Sequence, residues 1–141
     1  MDFDDFLGGE PNSGALAESI DQGRPAICFW VAHTIAARYP KALRFRSVKG
    51  RRAWEQDIDW LLRRLHEAML SGAPGLGCDR QWLVNTLLQR GVTEQDQHVG
   101  AMVLQEALLR RLGAKDAADP IARIEAAFEV QPPPSIAQWI G

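Results

Sequence analysis

The segment AWEQDIDWLLRRLHEAMLSG (53–72) constrains the fold more than any other part of the chain, because its apolar residues recur at helical spacing. Trp54, Ile58, Leu61 and Leu65 follow one another at intervals of three or four positions, which places them on one face of an α-helix. A run of glycine and proline at 72–77 then ends the helix. A helix of this length with one apolar face has to pack against other elements, so the segment predicts a helical core.

The remainder of the chain carries further helix signals, and none of it shows the alternation of apolar and polar residues that is typical of a β-strand. Capping residues, glycines and prolines set the expected boundaries. We predict a short helix from Gly14 to Gly23, one from Pro25 to Pro40 that is apolar nearly all round, one over 51–71, one that Asp79 caps and Gly91 ends, one that Thr93 begins, and one that Asp119–Pro120 begins. The sequence therefore predicts an all-α bundle of about six helices.

Three regions follow from these signals: a flexible acidic arm at 1–13, a helical domain at 14–130, and a Pro-rich C-terminal tail at 131–141. The net charge of −2 argues against nucleic acid as a partner, and no run approaches the ~20 apolar residues of a membrane span. Cys28 and Cys78 have neither metal-type nor disulfide-type spacing, so we expect a reduced, cytoplasmic location.

The motifs of common enzymes and metal sites are missing from the sequence. It contains no GxSxG, Walker loop, GxGxxG or HExxH, so we expect neither catalysis nor a bound metal. The three histidines fall on three different predicted helices. We interpret His33 as a core histidine and His66 as exposed or at an interface, whereas His98 is the best placed to touch a buried ligand.

Trp60 and Asp57 are the two residues of the 51–71 helix that simple core packing does not explain. Trp60 lies off the apolar face, so it needs a second neighbour or a partner chain. Asp57 lies at the border of that face, where a carboxylate is either at the rim or paired with an arginine such as Arg64. If Asp57 is buried, it requires N–H donors, because an unpaired buried carboxylate is costly.

With these residues in view, QDIDWLLRRLHEAMLSG resembles the chromophore-bearing helix of the phycobiliproteins. RQWLVNTLLQRGVT is similar to the family's next helix, and VAHTIAARYP to the helix that ends there in an aromatic residue and proline. The resemblance covers about residues 24–112, and the positions in register within the first helix are Asp57–Ile58, Trp60, Leu62–Arg63 and Gly72.

The resemblance implies a globin-like fold and a linear tetrapyrrole as ligand. In the family a cysteine bonds to the bilin and an aspartate accepts hydrogen bonds from its pyrrole nitrogens. Here the cysteine position holds Trp54, the arginine position directly before the aspartate holds Gln56, and Asp57 matches the aspartate. The resemblance therefore implies non-covalent binding of a bilin or a related flat ligand, in a sensory or regulatory role. The binding residues expected for it are Trp54, Asp57, Ile58, Leu61, Trp82 and His98.

A second hypothesis assigns the protein no ligand. An indole at position 54 removes space from the pocket as well as the nucleophile, so Trp54 would fill the cavity. The fold would then serve protein–protein association, as a homodimer or with another protein, through Trp60 and the aromatic residues of the two tails. The sequence leaves both hypotheses open.

Overall fold

The computed structural model describes residues 10–39 and 48–129, which form six α-helices and no strand. They are α1 (Glu10–Gln22), α2 (Arg24–Arg38), α3 (Val48–Ser71), α4 (Arg80–Gln89), α5 (Glu94–Leu112) and α6 (Ala114–Phe128). The all-α class and the number of helices are confirmed for this part of the chain, while the globin-like type stays a prediction. The C-terminal tail, most of the N-terminal arm and most of the 41–50 connection lie outside the described residues.

The helix ends that depend on a single capping residue occur where the sequence predicts them. The Asp79 side chain accepts the N–H of Trp82 at 3.1 Å, and the Thr93 hydroxyl accepts the N–H of Asp96 at 3.1 Å. Gly91 follows α4 with a φ of +88°, a value that suits glycine at the end of a helix. These contacts span at most three residues, so local sequence determines them.

Three predicted helix starts are wrong. One of them is the start of α3, which begins at Val48 rather than at 51. The first helix begins at Glu10 rather than near Gly14, because Pro11 lies in the first turn, where a missing N–H has no intrahelical partner to lose. The last helix begins at Ala114, and Pro120 lies inside it. Pro120 is buried on the face that packs on the core, and the burial of that face continues the helix through the proline.

The core lies where α3 and α5 meet the other helices. α3 packs against α1 and α2, whereas α5 packs against α2 and α6, and the short α4 contacts α5 and α6. The largest fully buried side chains come from all six of these helices and are Trp54, Ile20, Ile35, Ile58, Leu62, Leu65, Leu83, Leu104, Leu108, Leu109, Ile121 and Ile124. This arrangement directs the apolar face of the 53–72 segment inward, as the sequence predicts.

The sequence predicts that α2 is apolar nearly all round, but the helix is not buried on all sides. Its buried face consists of Ile27, Cys28, Val31, Ala32 and Ile35. Phe29 is 57% exposed, and His33 is also exposed, with its ring edge-on to Phe29 at 3.9 Å between centroids. The interpretation of His33 as a core histidine is therefore wrong. The helix has an inner and an outer face, because only one side of it meets α3 and α5.

Within residues 10–39 and 48–129, no helix combines the length and the apolar character needed to cross a bilayer.

Candidate functional site

Four of the six expected binding residues meet at one place between α3, α4, α5 and α6. Trp54, Asp57, Ile58 and Leu61 all lie on the inner face of α3, one or two turns apart. The residues opposite them are Leu87, Val92, Gln97, Gly100, Ala101 and Phe128. We call this place the Trp54 cavity.

The indole of Trp54 fills that space. The side chain is 2% exposed, and α5 approaches it through Gly100. A methyl group at position 100 would lie 2.6 Å from Cζ3 and 3.0 Å from Cη2 of Trp54, so the glycine is required for this approach. The remaining cavity measures about 10 Å³. On this measure a cavity needs ~10–15 Å³ to hold a single water molecule, and pockets for small ligands measure about 300–1,000 Å³.

This close approach predicts that Gly100→Ala destabilises the protein, although alanine favours a helix by about 1 kcal/mol relative to glycine. The new methyl group must displace a buried ring, so we expect a net loss of about 2 kcal/mol in the free energy of unfolding. Gly14→Ala is the matched control: Gly14 is also helical but has open space around it, and we expect a gain of about 0.5–1 kcal/mol.

Urea denaturation of both variants measures the difference. Trp54→Phe removes the outer ring atoms, so Gly100→Ala should cost less in a Trp54→Phe background than in the natural protein. If the two glycine substitutions have the same effect, the indole does not depend on the space at Gly100.

Asp57 is buried at 4% exposure and accepts a hydrogen bond from Arg90. The Nε atom of Arg90 lies 2.8 Å from Oδ1 of Asp57, and Arg90 itself is the C-cap residue of α4. The expected pairing with an arginine is therefore present, but the arginine comes from a neighbouring helix. The chain itself thus supplies an N–H donor of the kind that the resemblance assigns to a pyrrole.

Trp82 lies on the outer side of α3 and α4, in a cluster that we call the tryptophan–arginine face: Trp60, Arg64, Trp82 and Arg90. The Trp60 and Trp82 rings are 6.1 Å apart at 39°, and the Arg64 guanidinium lies 5.5 Å and 5.0 Å from the two ring centres. Arg90 lies 5.8 Å from the Trp60 ring. Trp60 therefore has the second neighbour that its position requires, while Trp82 stays 47% exposed.

His98 is also separate from the Trp54 cavity. It is exposed and borders a surface recess of about 180 Å³ between α4 and α5. Gln97 lines both this recess and the cavity, and its amide donates to the carbonyls of Val84 and Val92. The amide thus ties α5 to the end of α4 between the two places, which keeps His98 on the outside.

A cluster of two carboxylates and a histidine joins α1 to α3, and sequence spacing gives no sign of it. Glu18, Asp21 and His66 each offer one metal-ligand atom within 4.8 Å of the others. His66 is half-buried, with Nε2 3.0 Å from Glu18 Oε1, and Asp21 is ion-paired with Arg24. The positive charge of Arg24 opposes a cation at this place, so the cluster acts as a contact between helices. Only docking of the helices brings His66 to two residues more than 40 positions earlier.

The two cysteines differ sharply in accessibility, and both are free thiols. Burial, together with a smaller contribution from the nearby Asp59 carboxylate, raises the pKa of Cys28 to about 12. Because a thiol reacts as its thiolate, we expect Cys28 to resist Ellman's reagent at pH 8 while half-buried Cys78 reacts. Titration of the native and the unfolded protein should give about one and about two thiols respectively. Two rapidly reacting thiols in the native state would contradict the burial of Cys28.

Comparison of the chain with known protein families, with curated proteins and with solved structures found no match. The resemblance to phycobiliproteins therefore stays a prediction. The features of the molecule that bear on its function are the filled cavity and the surface around it.

Proposed function

We propose that this protein is a protein–protein association module that forms a homodimer through the tryptophan–arginine face. The observation that carries the proposal is the cluster of two indoles and two guanidinium groups at the surface, with Trp82 nearly half exposed. The filled Trp54 cavity supports it as well, because about 10 Å³ leaves no room for a small-molecule ligand in that cavity.

Tryptophan and arginine are the residue types that most often dominate the free energy of binding at protein interfaces. Covering the exposed part of Trp82, on the order of 100 Å², would contribute about 2.5 kcal/mol. Trp60 and Arg64 hold the indole in place from two sides, so little side-chain freedom remains to be lost on association. The face is thus both apolar and ordered before any partner arrives.

A second copy of the chain fits this face because the face is self-complementary. It presents aromatic rings together with the guanidinium groups that stack on them. Under a two-fold rotation, Arg64 of one copy would meet Trp82 of the other, and the reverse contact would form at the same time. Repulsion between like charges is reduced because Asp57 offsets the charge of Arg90.

Sedimentation velocity over a range of protein concentrations tests the dimer. The substitution removes Trp82 from both copies at ~2 kcal/mol each, so we expect Trp82→Ala to weaken dimerisation by about 1,000-fold, which corresponds to ~4 kcal/mol. Leu88→Ala is the matched control, because Leu88 is on the same helix and is 41% exposed but lies outside the cluster. A natural protein that remains monomeric at 100 μM (about −5.5 kcal/mol or weaker) would exclude this dimer. So would equal effects of the two substitutions.

Tetrapyrrole binding is the alternative, and an absorption spectrum distinguishes the two functions. Addition of biliverdin or haemin should produce no saturable band and no quenching of tryptophan emission if Trp54 fills the cavity. A saturable, red-shifted band that disappears in Asp57→Ala would instead establish the ligand-binding function. Asp57 is the informative position because the resemblance assigns it the pyrrole N–H groups.

A further inference from the structure

A second surface, which we call the Trp30 groove, lies between the start of α2 and the end of α5. It has a volume of about 400 Å³ and is lined by Ala26, Ile27, Trp30, Ala107, Arg110 and Arg111. Its floor is apolar and its rim is basic. It shares no residue with the tryptophan–arginine face or with the Trp54 cavity.

The two arginines of the groove are held by contacts that leave their charge available. The Arg110 guanidinium lies 5.2 Å from the centre of the Trp30 ring. Arg111 packs against Gly23, where a Cβ atom would overlap its guanidinium group. Within the part of the chain that the structure describes, neither arginine forms an ion pair with a carboxylate. An anionic group in the groove would therefore meet two positive charges.

The first turn of α2 adds to this preference. It contains no acidic residue, and its N-cap residue Gly23 makes no side-chain cap hydrogen bond. Ala26 and Ile27 of this first turn line the groove, so the positive end of the helix dipole lies beside it. Together with Arg110 and Arg111, it favours a ligand that is anionic and, because of Trp30 and Ile27, partly aromatic or apolar.

We infer that the Trp30 groove binds the acidic aromatic segment DFDDF (2–6) of the same chain. The segment carries three aspartates and two phenylalanines and no basic residue, so it matches the groove in charge and in apolar character. Asp2 and Asp4 would pair with Arg110 and Arg111, and Phe3 would pack against the apolar floor.

The length of the chain permits this contact within one molecule. α1 has 13 residues, so its first residue, Glu10, lies about 20 Å along the helix from the junction at Gly23. Phe3 precedes Glu10 by seven residues, which span up to about 23 Å when extended. A nearly extended segment that ran back along α1 would therefore be long enough to bring Asp2, Phe3 and Asp4 to the groove.

Photo-cross-linking in the full-length chain tests the inference. Phe3 is replaced by p-benzoylphenylalanine, and the cross-linked peptides are identified by mass spectrometry after irradiation. We expect cross-links to residues 26–30 and 107–111, and we expect their yield to fall about tenfold in Arg110→Glu with Arg111→Glu. The matched control is Arg51→Glu with Arg52→Glu, which changes the net charge equally but alters α3 outside the groove.

Charge reversal on the segment should restore the contact. Asp2→Lys with Asp4→Lys, combined with Arg110→Glu and Arg111→Glu, should recover most of the cross-link yield. Cross-links that map elsewhere, or that both arginine pairs reduce equally, would overturn the inference.

A mixture of isotope-labelled and unlabelled chains identifies the source of the segment. Cross-links within one chain support the inference, and a majority of cross-links between labelled and unlabelled chains would show that a second copy supplies the segment instead. The result should be unchanged in Trp82→Ala, because the groove does not depend on the proposed dimer. Failure of one proposal therefore leaves the other open to its own test.

Discussion

Trp54→Ala should lower the free energy of unfolding by about 3–5 kcal/mol, the largest effect that we expect of any substitution in this chain. The indole is fully buried between α3 and α5, and the cavity beside it measures only about 10 Å³. Gly100, which lies against the ring, has no side chain that could move into the space that the ring leaves. Truncation therefore removes the packing of the ring and leaves most of its volume empty.

Urea denaturation monitored by circular dichroism measures this loss. Trp82→Ala is the control, because its indole is 47% exposed and its removal should cost about 1 kcal/mol or less. The cavity in Trp54→Ala should also bind a small apolar ligand such as indole, which would raise the melting temperature of the variant but not of the natural protein. Similar costs for the two substitutions would mean that Trp54 borders a space and does not fill it.

Arg90→Met should have the second largest effect on stability, a loss of about 2–4 kcal/mol in the free energy of unfolding. The Asp57 carboxylate accepts the Arg90 hydrogen bond. The side chain of Asp57 taken alone is 6% exposed, against 4% for the whole residue, so water cannot readily replace the lost donor. Arg90 is 41% exposed, so removal of the aspartate leaves an accessible charge, whereas removal of the arginine leaves a buried one. Asp57→Leu leaves an arginine that can turn toward water, and we expect it to cost only about 1 kcal/mol.

The double variant Asp57→Leu with Arg90→Met then completes a double-mutant cycle. It should be more stable than Arg90→Met alone, because no carboxylate remains in the core. Arg63→Met provides the surface comparison: Arg63 is 61% exposed and pairs with Asp59, so we expect a loss of about 0.5 kcal/mol. Equal effects of Arg90→Met and Arg63→Met would contradict the role of Arg90 in satisfying a buried acid.

These two experiments test whether the core binds a ligand or is complete without one. A cavity that the chain fills with Trp54, beside an acid that it satisfies with Arg90, is complete without a ligand. If both substitutions have the expected effect, the residues of the tetrapyrrole hypothesis contribute mainly to stability. The tryptophan–arginine face and the Trp30 groove are then the remaining candidates for a functional site.

Local sequence determined the helical class, the number of helices and the ends with capping residues. Asp79 and Thr93 each bond to an N–H three residues later, and Gly91 adopts a backbone angle that favours glycine. Interactions over so short a distance form in the same way wherever the helices dock. The apolar spacing of 53–72 likewise identified the buried face of α3.

Only the tertiary structure decided which residues meet across the helices. Arg90 reaches Asp57 from 33 positions away, and Gly100 makes room for Trp54 from another helix. The same docking keeps α6 helical through Pro120, where local preference predicts a start. The physical reason is common to all three: periodicity reveals which face of a helix is buried, but the partner depends on how helices cross. The sequence thus determined that Trp54 points inward, and packing against α5 decided that it fills the space it reaches.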